Sequence, residues 1–345
     1  MPTALGSCIL AQLMGAFFSM QTILKMWSKV GRGILAAALI AVLIYFAGAR
    51  DVAETLKEVT PGAFLVLLLI SVPLILISAL KWRLFLTELS MEGTVPSTAR
   101  LFGLYLVGYF VNLLLPSFVG GDAVRSYYAG KKVGQHGAAA ATILERYTGL
   151  VAMILLALLL LPRSSLVTWQ IEMAVWALAA GLAFGTLVAL SPHLVLLVGA
   201  LPGGKKITKH LTRIQEALHL SRRNMGLLLK AFALSLLFHC FTVLNTVAAG
   251  WAVGWEGIPA GDLFVVLPLI LLIGALPLAP SGLGIQEGAF FYFLQGIGAT
   301  PAQALGVGLV LRLKSYVLAL LGGLVFLRER RLGASQGQGT TSELR

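Results

Sequence analysis

The sequence predicts an all-α polytopic membrane protein, and three observations lead to this fold class. Hydrophobic residues make up 58% of the 345 residues and charged residues only 12%, whereas a soluble domain has about 25% charged residues. The mean hydropathy is +0.90. The apolar residues also form blocks about as long as the ~20 residues that a transmembrane helix needs. This composition excludes a soluble enzyme, a disordered chain and a coiled coil.

The chain divides into three parts by composition. Residues 1–25 contain an apolar stretch but lack the basic start and small-residue cleavage site of a signal peptide. Translation could begin at Met26, so we interpret residues 1–25 as an N-terminal extension without functional weight. Residues 26–328 are predicted to form a single integral membrane domain. The polar residues 329–345 are predicted to form a disordered cytoplasmic tail.

The membrane domain contains six full spans and two broken stretches. Two apolar stretches, 101–115 and 263–279, end in the breaks LLLPSFVGGDAVR and LPLAPSGLGIQEG. Each break contains a proline, a run of small residues and an acidic residue. The segments that follow, roughly 122–133 and 287–297, are too short to cross alone. The full spans are predicted near 33–49, 61–80, 137–161, 173–191, 225–250 and 300–327.

Two topologies are compatible with this pattern. If both broken stretches cross, there are eight spans and the basic loop 200–223 lies outside. If both are re-entrant broken-helix hairpins, there are six spans and that loop is cytoplasmic. Because Lys and Arg accumulate on the cytoplasmic side, we favour the hairpins, with both termini in the cytoplasm. The cytoplasmic basic residues are then Lys25, Lys29, Arg32, Lys81, Arg83, Arg100, Arg125, Lys131, Lys132, Lys205, Lys206, Lys209, Arg213, Arg222, Arg223, Arg328, Arg330 and Arg331.

The two breaks resemble each other and predict an inverted repeat. Asp122 precedes Arg146 by nearly the same number of residues as Glu287 precedes Arg312. In the hairpin topology, repeat 1 (about 61–161) and repeat 2 (about 225–327) run in opposite directions. Many secondary transporters have this architecture, with substrate bound at the midplane between discontinuous helices. The alternative is a chance similarity between two loops rich in glycine and proline.

The net charge of +12 orients the chain and does not predict a nucleic-acid partner. Segment 203–223 places apolar residues on one helical face and basic residues opposite, as in a helix that contacts anionic lipid at the cytoplasmic surface. An ordinary basic loop helix is the alternative. Cys8, Cys240 and five scattered histidines have no metal-ligand spacing, so we predict no metal and no cofactor.

Several ionisable residues remain at membrane depth, where insertion costs at least ~2.5–3.5 kcal/mol each unless they have a partner or a wet cavity. One interpretation is internal salt bridging, Asp122 with Arg146 and Glu287 with Arg312, which locks the hairpins. The residues concerned are Asp122, Glu145, Arg146, Glu287, Arg312 and Lys314.

The other interpretation is a substrate site. A short helix after each break would point free N–H groups and its positive dipole end into the protein, where a phosphate binds well. Arg146 or Arg312 could hold that phosphate in bidentate fashion. Asp122 and Glu287 could cap the helices or face the amine of a zwitterionic headgroup. Secondary candidates are Asn112, Gln286, His239 and Asn245.

Two segments resemble the signature regions of the flippase-like membrane family, which includes the transmembrane half of bacterial lysylphosphatidylglycerol synthetases. They are GGDAVRSYYAGKKVGQHGAAAATILERYTGL and PSGLGIQEGAFFYFLQGIGATPAQALGVGLVLRLKSYVLALLGGL. KWRLFL at 81–86 is similar to the basic-Trp segment of that family, and the resemblance covers roughly residues 28–328. Stand-alone members are linked to lipid-borne glycans or hopanoids. Because no soluble aminoacyl-transfer domain follows, the synthetase activity of the fused relatives is not implied for this chain.

The resemblance also implies which polar positions form the substrate site. Gln286 departs from the family pattern, since many relatives have a basic residue there; this leaves the headgroup preference open. With Gly120 added from the glycine run, the predicted substrate-binding residues are Gly120, Gly121, Asp122, Arg125, Glu145, Arg146, Pro280, Gly282, Gly284, Glu287 and Arg312.

The leading functional hypothesis is a transporter, not an enzyme, that flips a phosphate-bearing or anionic lipid, or a lipid-linked precursor, across a bacterial inner membrane. The sequence contains no G-x-x-x-x-G-K-[ST] nucleotide-binding loop, so a gradient or mass action would drive transport. One alternative is an intramembrane lipid-modifying enzyme, with Ser117, Ser281 or Asp122 as nucleophile. Another is a non-transporting scaffold of a lipid or envelope pathway.

Overall fold

The computed structural model describes residues 31, 33–90, 94–114, 119–164, 168–191, 208, 212, 215, 224–276 and 282–342. Every regular element within these ranges is helical, as the sequence predicts. In chain order the helices are α1 (Gly33–Ala47), α2 (Ala49–Lys57), α3 (Pro61–Leu89), α4 (Thr98–Leu114), α5 (Val119–Val133), α6 (Gln135–Leu160), α7 (Trp169–Leu190), α8 (Met225–Ala252), α9 (Ala260–Gly274), α10 (Ile285–Gln295) and α11 (Pro301–Ser342).

The described helices include five that are long and apolar enough to cross a membrane, and these match five of the six predicted spans. A sixth span is present if α1 and α2 are counted as one, although they meet at a 90° bend. Gly48 forms this bend with a φ of 82°, which glycine adopts without steric cost. The five helices are Pro61–Leu89, Gln135–Arg163, Trp169–Leu190, Met225–Ala252 and Pro301–Arg328.

The two broken stretches each form a pair of shorter helices. The apolar helices α4 and α9 have 17 and 15 residues, fewer than a perpendicular crossing of the hydrocarbon core needs. After each break the chain continues in α5 and α10, which pack against α4 and α9 respectively. Each stretch is thus followed by a separate short helix, α5 or α10.

We call α3 to α6 the first half of the domain and α8 to α11 the second half. The first helix of each half, α3 or α8, begins at a side-chain cap. The Thr60 hydroxyl accepts from the Ala63 N–H at 3.1 Å, and Pro61 occupies the first helical position, where its missing N–H costs nothing. The Asn224 side chain accepts from the Leu227 N–H at 3.0 Å. These caps fix where each helix begins.

Helices α3 and α8 pack against each other and run antiparallel. Asn224 Nδ2 at the start of α8 donates to Glu88 Oε2 at the end of α3, at 3.2 Å. Further along α8, Ser235 Oγ accepts from Lys81 Nζ at 3.1 Å, and Lys81 precedes Glu88 on α3. Because the order of contacts is reversed between the helices, the first helices of the two halves point in opposite directions.

The remaining packing follows the same two-part pattern. The short apolar helix of each half packs against the last helix of the other half: α4 against α11, and α9 against α6. Within each half, α5 packs on α6 and α10 packs on α11. One buried apolar cluster lies mainly on α8 to α11, and a second is built largely from α3 to α6. Each half therefore has its own apolar core, and the α4–α11 and α9–α6 contacts join the two halves.

The contact between α4 and α11 depends on a glycine. A Cβ at Gly322 of α11 would fall on the carbonyl oxygen of Leu106 in α4, and small residues permit such close approach between membrane helices. We expect Gly322→Ala to destabilise the protein by about 1–3 kcal/mol, the usual cost of overpacking. Thermal unfolding of the purified protein in detergent would measure this loss.

Gly181→Ala on α7 is the matched control, because a Cβ there meets no atom within 4 Å. Its unfolding temperature should equal or slightly exceed that of the wild type, since alanine has the better helix propensity. An unfolding temperature of Gly322→Ala equal to that of Gly181→Ala would contradict the proposed contact.

The predictions for the tail, the N-terminal extension and the basic segment 203–223 have different outcomes. Helix α11 continues to Ser342, so residues 329–342 are helical and the predicted disorder of 329–345 is wrong for them. Extending a formed helix adds one hydrogen bond for each residue fixed, so a polar composition alone does not end it. The predicted extension 1–25 and all of segment 203–223 except residues 208, 212 and 215 lie outside the described residues.

Candidate functional site

Two arginines occupy matching positions along α6 and α11. Arg146 and Arg312 each lie about eleven residues, or ~16 Å at the α-helical rise, beyond the first residues of α6 and α11. Half the thickness of the hydrocarbon core is roughly 15 Å. The matched positions therefore place both guanidinium groups near the middle of apolar helices, where each needs a polar partner.

The carboxylate of Asp122, in the first turn of α5, bridges two arginines. It accepts two hydrogen bonds from Arg146, from Nε and from an η nitrogen, both at 2.8 Å. It also accepts from Arg125 Nε at 3.0 Å. The bidentate Asp122–Arg146 pair joins α5 to α6, so the predicted Asp122–Arg146 salt bridge is present.

Arg125 lies at the centre of this cluster with 1% of its side chain exposed. One of its η nitrogens donates to Glu145 Oε2 at 2.5 Å. Its guanidinium carbon lies 4.4 Å from the ring centroid of Trp82 and 4.3 Å from that of Tyr105. These cation–π contacts and two carboxylates hold the buried charge in a fixed position between α3, α4 and α6.

Lys81 adds a further cation to the same cluster. The sequence places Lys81 after the second span and Arg125 in the first break, both on the cytoplasmic side. In the structure both side chains are buried. Helix α3 does not stop near residue 80 but continues to Leu89, which leaves Lys81 inside the helix. With Lys81, Arg125 and Arg146 against Asp122 and Glu145, the cluster has a formal charge of +1.

The N-terminal end of α5 is tied to the preceding helix through Asn112. The Asn112 side-chain oxygen accepts from the Gly121 N–H at 2.7 Å. A Cβ at Gly121 would meet the Gly108 carbonyl oxygen and the Asn112 side chain, so only glycine fits between α4 and α5. Asn112 therefore caps the start of α5, a role that the sequence suggested for Asp122. Asp122 binds Arg125 and Arg146 instead. Gly120, also in the first turn of α5, is half-buried.

The second half contains a simpler cluster around Glu287 and Arg312. Glu287 Oε1 accepts from Arg312 Nε at 2.6 Å. Glu287 Oε2 accepts from the Gly284 N–H at 2.7 Å and so caps α10, as the sequence predicts. Arg312 also donates to Gln286 Oε1 at 3.2 Å and to the Gly282 carbonyl oxygen at 3.3 Å.

Glycines shape this second break as well. Gly282 and Gly284 have φ values of 63° and 81°, in the left-handed region that glycine favours. A Cβ at Gly284 would also lie 2.9 Å from Leu39 Cβ and 3.1 Å from the Ala36 carbonyl oxygen. Helix α1 therefore covers this break closely. Pro280, the remaining predicted site residue, lies outside the described residues.

The two clusters differ in their exposure. The Arg146 side chain is 61% exposed at the protein surface, whereas that of Arg312 is 10% exposed. Glu287 is almost completely buried, and Asp122 is partly exposed. The first cluster thus presents a guanidinium at the protein surface, while the second is closed under α1.

Most of the predicted site residues come together in these two groups. Asp122, Arg125, Glu145 and Arg146 form the first, while Gly282, Gly284, Glu287 and Arg312 form the second. Sequence reasoning missed Trp82 and Tyr105, and assigned Lys81 to a loop. The available signal was the KWRLFL segment at 81–86, whose Lys-Trp pair follows an apolar stretch without any helix-ending residue. The Lys-Trp pair can belong to the buried cluster only because α3 continues beyond residue 82.

These features define a class of protein: a multi-pass helical membrane protein with two ion-paired clusters embedded among apolar helices. The chain belongs to the family described as the lysylphosphatidylglycerol synthase TM region, whose model matches residues 33–323. This confirms the resemblance drawn from the two signature regions.

Two relatives from Methanothermobacter thermautotrophicus support the same assignment. Both are described as UPF0104 membrane proteins, and each is 24% identical to this chain. The first match covers 82% of this chain and 90% of the relative, and the second covers 84% and 90%. No solved structure matches the chain.

Proposed function

We propose that the protein moves a phosphate-bearing lipid between the two leaflets of its membrane. The observation that carries this proposal is the Arg146 guanidinium, which is held by Asp122 at membrane depth and is largely exposed at the protein surface. An ion pair that faces out of the protein contributes little to stability, typically about 0–1 kcal/mol. A substrate site must be reached from the bilayer, and an exposed guanidinium there can bind a headgroup phosphate.

The chemistry of the first cluster suits phosphate. The carboxylate of Asp122 already occupies the two guanidinium N–H groups of Arg146 that a phosphate would take in bidentate fashion. A phosphate that replaces Asp122 on Arg146 leaves Asp122 paired with Arg125, so no charge loses its partner. The exchange of one anion for another would bind and release the headgroup without a large change in electrostatic energy.

The packing of the helices supports an inverted repeat with two re-entrant hairpins. Helices α3 and α8 are antiparallel, and each pair of helices in one half has a counterpart in the other. Helices α4 and α9 are short, which fits hairpins that enter and leave on the same side. Such an architecture lets one central site face each leaflet in turn, as a transporter requires.

The charges support an orientation with both termini in the cytoplasm. At the end of α5, Lys131 Nζ lies 5.0 Å from the ring centroid of Tyr127 and 5.5 Å from that of Tyr128. Aromatic and basic side chains of this kind are typical of the membrane–water interface. This end then faces the cytoplasm together with the basic segment 203–223, which we propose to contact anionic lipid. The membrane would be the cytoplasmic membrane.

The test is transport by the purified full-length protein in proteoliposomes. We expect a fluorescently labelled phosphatidylglycerol to exchange between leaflets faster than in protein-free vesicles, as measured by its accessibility to a membrane-impermeant quencher. The labelled lipid should be chemically unchanged in a mass spectrum. A new lipid species would favour the enzyme alternative, and the protein-free exchange rate would favour the scaffold; either outcome would contradict transport.

A further inference from the structure

Two buried hydrogen-bond donors in the first cluster have no acceptor within the described part of the chain. They are the indole Nε1 of Trp82 and one η nitrogen of Arg125. Both side chains are at most 1% exposed. A buried donor without an acceptor costs about 1–3 kcal/mol, and such donors are rare in native proteins. Two of them in one cluster indicate a bound acceptor.

The two donors belong to neighbouring side chains. The Arg125 guanidinium carbon lies 4.4 Å from the centroid of the Trp82 ring, so the two donors belong to side chains in direct contact. The other donors of Arg125 are directed to Asp122 and Glu145. The unpaired η nitrogen is therefore the part of the guanidinium left for a further ligand.

The charge of the cluster identifies the kind of acceptor. The exposed Arg146 is paired with Asp122, which leaves two buried cations, Lys81 and Arg125, and one buried carboxylate, Glu145. Lys81 donates to the neutral Ser235 hydroxyl, so in the described contacts no carboxylate forms a hydrogen bond with it. A net positive charge in a low-dielectric interior favours an anion. A water molecule would satisfy the two donors but would leave this charge unbalanced.

We propose that the protein binds one small inorganic anion, of the size of chloride, between Trp82 Nε1 and the unpaired η nitrogen of Arg125. Lys81 contributes to the attraction from a distance. This site lies inside the protein and is separate from the exposed guanidinium of Arg146 that the proposed function assigns to lipid phosphate. The resident anion fixes the guanidinium of Arg125, which in turn positions Asp122 and Glu145.

The experiment compares thermal unfolding of the detergent-purified protein in sodium chloride and in sodium gluconate at equal ionic strength. We expect chloride to raise the unfolding temperature with a saturable dependence on concentration. Trp82→Phe keeps an aromatic ring beside Arg125 but removes the N–H donor, and should weaken the apparent chloride affinity about tenfold. Trp176→Phe, on the exposed face of α7, is the control and should keep the wild-type response.

A second measurement does not depend on any variant. Crystals or detergent samples equilibrated with bromide should show one bromide beside Trp82 and Arg125, by anomalous scattering or by bromide K-edge absorption. Equal unfolding temperatures in chloride and gluconate, or bromide absent from this position, would overturn the proposal. Stabilisation by added phospholipid alone would overturn it too, since the acceptor would then be the lipid phosphate. Neither readout requires transport, so the two proposals can fail separately.

Discussion

Replacing Glu145 by glutamine should destabilise the folded protein by about 3–5 kcal/mol, the usual loss when one partner of a buried ion pair is removed. Glu145 accepts the 2.5 Å hydrogen bond from Arg125, and both side chains are more than nine-tenths buried. The substitution keeps the shape of the side chain but raises the charge of the cluster by one. Arg125 would then depend on Asp122, which it shares with Arg146.

Chemical or thermal unfolding in detergent would measure this effect. Glu172→Gln is the matched control, because it makes the same chemical change on the exposed surface of α7; its unfolding free energy should stay within about 0.5 kcal/mol of the wild type. If both variants unfold alike, the buried pair contributes nothing to stability, and the cluster is not the structural centre of the first half.

Much of the fold could be predicted because the membrane imposes simple rules on a sequence. The spans follow from the length of apolar blocks, and the two breaks follow from proline, glycine and acidic residues inside such blocks. The pairs Asp122–Arg146 and Glu287–Arg312 were predictable as well, because charges at membrane depth need partners. In each case a local pattern carries the information.

What could not be predicted depends on the three-dimensional register of the helices. Lys81 looks like a loop residue until α3 is seen to continue beyond it, and Trp82 and Tyr105 look like ordinary apolar positions. Asn112 replaces Asp122 as the cap of α5 because Arg125 and Arg146 compete for the Asp122 carboxylate. No spacing along the chain shows that competition.

The difference between the two clusters is informative about mechanism. Arg146 is exposed and Arg312 is closed under α1, although the two arginines occupy matching positions. In an inverted-repeat transporter, one half is open when the other is closed, because the same site faces each leaflet in turn. If the protein transports lipid as proposed, this structure corresponds to one of the two states, and movement of α1 away from Gly284 would accompany the other.

Neutralising the Asp122–Arg146 pair should separate its structural role from its role in transport. We expect three variants to reduce lipid exchange to the protein-free rate: Arg146→Ala, Arg312→Ala, and the double variant Asp122→Asn with Arg146→Gln. Each of them lacks the guanidinium of Arg146 or of Arg312 and so cannot bind phosphate there. The double variant leaves the cluster with its original formal charge of +1. It should therefore be more stable than Asp122→Asn alone, which strands Arg146 without its carboxylate.

The matched control neutralises an exposed pair in the same way. Arg50 Nε donates to Glu54 at 3.0 Å, with side chains 89% and 58% exposed, and Arg50→Gln with Glu54→Gln should leave both stability and exchange unchanged, since surface pairs contribute little. Wild-type exchange in the Asp122→Asn, Arg146→Gln variant would show that the pair only locks the first hairpin to α6. A stable variant without exchange would instead show that Arg146 is needed for transport beyond any contribution to folding.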